Sequence, residues 1–150
     1  MSKTIEIVNR KATHLYFIIQ TYEAGIKLSG TEVKSIRNGK ANMSDAYCAM
    51  DGGELFAYHI HISEYEQGSH QNHDPKRPRK LLLNKAELRK LERKISEKGM
   101  TIIPLKMYFS ERGMIKLEIA LATGKKSFDK RETLKEKDMQ RDMDRSFRTR

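Results

Sequence analysis

The sequence predicts a mainly β domain with a few short helices, its strands closing into a small antiparallel barrel, followed by a basic tail that is disordered when free. Three observations lead there. Short β-type runs recur over residues 1–123, separated by Gly- and Asp-containing turns. Two segments instead carry cap residues at both ends. The last 27 residues, GKKSFDKRETLKEKDMQRDMDRSFRTR, hold no Val, Ile or Pro, and ten Lys/Arg against six Asp/Glu, too polar to fold alone.

The elements follow in order. Ile5 and Ile7 alternate with polar neighbours. LYFIIQTYEAGIKL is apolar on both faces at first, as in a strand buried on two sides, and Glu23-Ala24-Gly25 predicts a hairpin or bulge. In SGTEVKSIRNGK, Ser29 with Glu32 forms a capping-box pattern, Val33 and Ile36 share a face, and Asn38-Gly39 stops a short helix. AYCAMDGGELFAYHIHI reads as a hairpin around Asp51-Gly52-Gly53. Its two-residue period puts Phe56, Tyr58, Ile60 and Ile62 on one face, and Ala57, His59 and His61 on the other. Residues 67–80, with two prolines and no apolar period, read as a loop. Asn84 caps a helix that ends at Gly99, with Leu88, Leu91 and Ile95 as its buried stripe and Lys/Arg over the rest. MTIIPLKMYF and MIKLEIALA are strands joined by Ser110–Gly113, with Ile115, Leu117, Ile119 and Leu121 facing inward. So many short strands must hide their edges, which favours an OB-type closed barrel over a two-layer α+β sheet.

Charge narrows the partner. The net +10 is unevenly placed: residues 1–74 carry −2, residues 75–98 carry +7, and the tail from 124 carries +4. Two basic blocks on one small domain point to a polyanion, nucleic acid before membrane. The apolar runs are far too short for a membrane span, and the single Cys48 permits neither an internal disulfide nor a cysteine zinc cage. The expected compartment is the cytoplasm.

Catalytic signatures are missing. There is no nucleophile elbow, phosphate loop or dinucleotide fingerprint, and the carboxylates are scattered where a nuclease would cluster them around magnesium. His59, His61, His70 and His73 lie within fifteen residues, yet no carboxylate or thiol completes a metal signature. The expectation is no enzyme, no metal and no cofactor, with His59 a surface residue able to stack on bases or bond phosphate. Pro75-Lys76-Arg77-Pro78-Arg79-Lys80 is expected to hold its guanidinium groups outward on a semi-extended track, making Arg77, Arg79 and Lys80 phosphate contacts.

Five motifs then follow one another in order. They are Asn9-Arg10-Lys11-Ala12-x-His14-x-Tyr16; Tyr22-Glu23-Ala24-Gly25-Ile26; Gly30-x-Glu32-Val33-Lys34-Ser35-Ile36-Arg37-x-Gly39-Lys40-Ala41-Asn42; Arg77-x-Arg79-Lys80-Leu81-Leu82-Leu83-Asn84; and Gly124-Lys125-Lys126-x-x-Asp129-Lys130-Arg131. Together they resemble the SmpB (SsrA-binding protein) family of bacteria. The resemblance implies an OB-fold body that binds transfer-messenger RNA (tmRNA) through its tRNA-like domain and delivers it to stalled ribosomes. It also implies that elongation factor Tu and alanyl-tRNA synthetase act on the same RNA. Matched by position, Glu23, Leu82, Asn84 and Lys116 are implied tmRNA-binding residues, and Asn9, Arg10, Lys34 and Arg37 are further candidates. Asn84 is also explained as a helix cap, and Leu82 as core.

The tail then has a candidate role. Met139, Met143 and Phe147 fall at helical spacing, with Lys137, Arg141 and Arg145 as a parallel stripe. Its i,i+3 and i,i+4 ion pairs, worth roughly 0.2–0.5 kcal/mol each, are too weak to nucleate a free helix. Residues 1–123 are therefore expected to form the barrel, and 124–150 a tail that turns helical on the ribosome. The resemblance implies that the tail occupies the small-subunit decoding centre and empty message channel, through Lys125, Lys126, Phe128, Asp129, Lys130, Arg131, Lys135, Arg141, Met143, Arg145 and Phe147. A general single-stranded RNA-binding OB protein or ribosomal protein is the alternative, and a metal-dependent ribonuclease the third reading.

Overall fold

The computed structural model describes residues 6–68 and 72–125. In chain order the elements are β1 (Glu6–Val8), α1 (Ala12–Leu15), β2 (Tyr16–Ile26), α2 (Gly30–Arg37), β3 (Ala41–Asn42), β4 (Tyr47–Asp51), β5 (Glu54–Tyr58), β6 (His61–Ile62), β7 (Arg79–Leu82), α3 (Lys85–Lys98), β8 (Thr101–Phe109) and β9 (Ile115–Gly124). The fold is mainly β, one large antiparallel sheet with a few short helices. Its strands run β1-β8-β4-β5-β7-β2-β9, and β8 also pairs with β9, so the pairing from β8 through β4, β5, β7, β2 and β9 returns to its start. β3 and β6 form a separate two-stranded ladder.

Inside lies one core, with Ile36, Leu55, Ile60, Leu81, Leu91, Ile102, Leu117, Ile119 and Leu121 each at most 2% exposed. Local chemistry explains the helices. Ser29 Oγ accepts from the Glu32 backbone N–H while Glu32 Oε1 accepts from the Ser29 N–H at 2.8 Å, closing the capping box at the start of α2. Asn84 Oδ1 accepts from the Glu87 N–H at 2.8 Å, and α3 ends on Gly99 at φ +60. Gly52 and Gly53, at φ +61 and +80, make the tight turn that sets Tyr47 opposite Tyr58.

Four expectations are corrected. β2 does not break at Glu23-Ala24-Gly25 but runs unbroken to Ile26, because those residues pair with Glu118, Leu117 and Lys116 of β9. The irregularity falls earlier, between Ile18 and Gln20. Nor is the start of β2 buried on two sides: Phe17 and Ile19 are 43% and 48% exposed. Phe56 and Tyr58 do not share a face with Ile60 and Ile62: in β5 Leu55 and Ala57 are inside and Phe56 and Tyr58 half-exposed. His59, at φ +62, breaks the alternation and returns Ile60 and Ile62 to the core. Finally, Arg79 and Lys80 open β7 and do not belong to the preceding loop. The helix α1 went unforeseen; its Ala12 packs on Ile103, Ala120 and Ala122, a small second cluster that covers the outer side of β8 and β9.

Candidate nucleic-acid interface

Strand register assembles an outward patch from three strands. Gly25 of β2 stands between Leu82 of β7 and Lys116 of β9, and Glu23 lies two residues along the same face. The contact at Gly25 is close: a Cβ there would sit 3.2 Å from Leu82 Cβ. Leu82 is 51% exposed, so it is not core. Glu23 Oε2 accepts from the Tyr108 hydroxyl at 2.6 Å. Partial burial, that bond and the nearby Glu118 push the Tyr108 phenol up to about 12. Lys106 Nζ lies 3.7 Å from both Glu6 and Glu118 and over the Tyr108 ring. Among the described residues no carboxylate pairs with Lys116.

With Glu6, Glu23 and Glu118 against Lys106 and Lys116, this patch carries no excess of base, so it suits hydrogen bonds to bases and riboses better than bulk attraction of phosphate. The cations stand at its margin. Asn84 follows Leu82 by two residues and starts α3, whose Lys85, Arg89, Lys90 and Arg93 are exposed. Lys94 donates to Gln20 of β2 at 3.1 Å, tying the helix alongside the patch.

The basic loop behaves differently from expectation. Arg79 is fully buried, with Nε donating to Glu32 Oε2 at 2.5 Å and Nη1 to the Ile60 carbonyl at 2.7 Å. Arg77 binds the same buried carboxylate through Nε and Nη2. Burial alone would raise the Glu32 carboxyl; bonds from Arg77, the Ser29 N–H and Arg79 outweigh it and hold the carboxyl below its usual range. Arg79 is therefore closed off from phosphate, whereas Arg77, paired with the same acid, keeps about 34% of its side chain at the surface. Lys80 faces out, 2.8 Å from Glu54.

The comparisons fit this architecture. A family model described as SmpB protein matches residues 6–149. The SsrA-binding protein of Desulforamulus reducens is 56% identical over 142 residues, 95% of this chain and 88% of that one. That of Moorella thermoacetica is 52% identical over 152 residues, covering 100% and 98%. The chain belongs to the SmpB family. A solved chain, described as "tmRNA-SmpB: a journey to the center of the bacterial ribosome", is 50% identical and aligns over 83% of this chain and 85% of its own, with a TM-score of 0.67.

Of the residues matched to the SmpB pattern, Glu23, Leu82, Asn84 and Lys116 thus come together. The others do not join them. Asn9 is buried; its backbone N–H reaches the Leu105 carbonyl and its Nδ2 the Pro104 carbonyl at 2.9 Å, carbonyls at the register shift of the β8–β9 ladder. Arg10 beside it is exposed. Lys34 and Arg37 lie on α2, over the rings of Tyr65 and Phe109. His59 stacks on Tyr47, while His73 is buried between Thr31 Oγ1 at 2.9 Å and the Ile62 carbonyl at 2.8 Å. Among the described residues no cluster of His, Cys, Asp or Glu is arranged to hold a metal ion, and no helix is long and apolar enough to cross a membrane. Lys125 Nζ donates to the Thr13 carbonyl at 2.8 Å and lies over the Phe17 ring. His70, Lys126, Phe128, Asp129, Lys130, Arg131, Lys135, Arg141, Met143, Arg145 and Phe147 lie outside the described residues. Tyr108 and the aromatic group of Tyr47, Phe56 and Tyr58 were missed; the Gly52-Gly53 turn, which fixes hairpin register, was the signal that faced Tyr47 with Tyr58.

Proposed function

We propose that this SmpB-family chain binds tmRNA through its tRNA-like domain and brings it to stalled ribosomes. The β body is an OB-type barrel that grips the RNA, and residues 124–150 form a separate tail that becomes helical in the small-subunit decoding centre and empty message channel. It acts in the cytoplasm without chemistry of its own; elongation factor Tu and alanyl-tRNA synthetase work on the same RNA. The observation that carries this reading is the convergence of Glu23, Leu82 and Lys116 around Gly25, next to the Asn84-capped basic helix. An apolar side chain left 51% exposed beside a Glu–Tyr pair leaves Leu82 open to an outside partner.

Competition binding tests the reading, with the tRNA-like domain set against unstructured RNA of equal length at physiological salt. The domain is expected to win by a wide margin; equal affinities defeat the proposal and favour a general single-strand binder, the reading the exposed Tyr47–Tyr58 stack supports. Deleting residues 132–150 should leave RNA affinity nearly unchanged and abolish peptide tagging. A large loss of affinity would place the tail in the primary site.

A further inference from the structure

On the outward surface the patch does not end at Leu82. Lys80 faces out two residues earlier on β7 and stands opposite Phe56 of β5; Tyr58, two residues along β5, stands opposite Tyr47 of β4. Tyr47 and Tyr58 stack with ring centroids 5.4 Å apart at 19°, and the His59 ring lies 5.5 Å from Tyr47 at 28°. His59 reaches that stack from a left-handed backbone at φ +62, a conformation few non-glycine residues adopt. Tyr47 is 41% exposed, a large aromatic surface turned to solvent.

Tyr47 also lines a cavity of about 400 Å³, together with Asn9, Lys11, Tyr16, Asp45 and Thr101. Lys11 and Asp45 are exposed there. The volume lies within the range of small-ligand sites. Its lining combines a ring to stack on, a carboxylate to accept from N–H groups, a hydroxyl and one ammonium. That set matches a nucleotide piece by piece: the base on Tyr47, its donor edge on Asp45, its phosphate on Lys11.

We propose that this cavity holds an unpaired nucleobase of the bound RNA, packed on the part of the Tyr47 ring that Tyr58 and His59 leave exposed. Guanine is the preferred base, because its adjacent N1–H and N2–H donors suit a single carboxylate. The proposal rests on the reading that the chain binds tmRNA, and it extends the footprint from the Leu82 patch across Lys80 and Phe56 to a second, base-holding anchor.

The test uses the full chain and the tRNA-like domain of tmRNA, titrated over a salt series. Tyr47→Ala is expected to weaken binding about ten-fold at every salt concentration, leaving the log–log slope unchanged because a ring makes no phosphate contact. Tyr47→Phe, which keeps the ring, recovers most of the loss; a loss equal to that of Tyr47→Ala overturns the stacking role. Asp45→Asn gives a test of sign. A carboxylate that accepts from a base loses affinity on conversion to the amide, whereas one that merely stands near phosphates gains it. A rise in affinity therefore overturns the site. Thermal unfolding of each variant identifies any loss due to misfolding, and Asp45, being exposed, supplies a second route if Tyr47→Ala unfolds. Wild-type affinity in Tyr47→Ala, with Leu82→Ala weakened in the same assay, overturns this anchor and leaves the proposed function standing. If the wild-type chain shows no preference for the domain over unstructured RNA, the functional reading itself fails.

Discussion

Two sets of cations lie within one basic block of the sequence, and the fold sends them in opposite directions. Arg77 and Arg79 turn inward to Glu32, itself fully buried at the first turn of α2. Lys85, Arg89, Lys90 and Arg93, a few residues later on α3, turn outward. Composition cannot separate them, because both sets add to the same net +7. The difference comes from geometry and partner. A guanidinium supplies up to five fixed donors, and the interior here offers matching acceptors: one carboxylate and the carbonyls of Ile60, Asp74, Pro75 and Lys27. Among the described cations of α3, Lys94 alone finds an acceptor, Gln20 of β2. Charge density in sequence reports on binding only after the internal acids have claimed their partners.

The largest effect that would break this contrast is on stability. Removing Glu32 as Glu32→Ala leaves Arg79 buried without its counter-ion, and should cost about 3–5 kcal/mol in urea unfolding. Arg89→Ala on the outer set should change stability by less than about 0.5 kcal/mol. If Glu32→Ala costs no more than Arg89→Ala, the inward set is not structural. Acid sharpens the same point. Because the Glu32 carboxyl lies lower in the folded chain than in the unfolded one, its contribution is present above the unfolded value near 4.5 and is lost as pH falls through the folded value. Wild-type stability should therefore drop on the acid side more steeply than that of Glu32→Gln.

An effect of about 1 kcal/mol is expected at Asn84, where the two sets meet. Its side chain accepts from the Glu87 N–H and points α3 out from the end of β7. Asn84→Ala should lose roughly that amount of stability through the cap. If Asn84 serves RNA by aiming the basic helix, Asn84→Ser restores both stability and RNA affinity. Recovery of stability alone would mean that the amide itself touches the RNA.

The sequence made much of this legible, for identifiable reasons. The two caps, the Gly52-Gly53 turn and the alternation of Ile115, Leu117, Ile119 and Leu121 are local signals, and each appears where its chemistry requires. The misses depend on distant partners. Arg79 read as a surface residue because Glu32 lies 47 residues away, and the β2–β7 pairing just before α2 is what brings them together. The split between the outward Phe56 and Tyr58 and the buried Ile60 and Ile62 traces to one residue, since His59, at φ +62, resets the two-residue period between them. In the same way Leu82 looked like core from its apolar neighbours, while its place opposite Gly25 turns it outward.

The smallest expected effect isolates the patch from both sets of arginines. Lys116 stands opposite Gly25 and Tyr108, partly exposed, with no carboxylate partner among the described residues. Lys116→Ala should leave urea unfolding within about 0.5 kcal/mol of wild type. If its ammonium meets a phosphate, the log–log salt slope of tmRNA binding should fall by about 0.7–0.9, one contact's worth. Arg79→Lys, which keeps the charge but not the buried fork, should do the reverse, lowering stability and leaving the slope of the folded fraction intact. A common slope for wild type and Lys116→Ala would remove phosphate binding from this patch, leaving Glu23, Leu82 and Tyr108 to read bases and riboses alone.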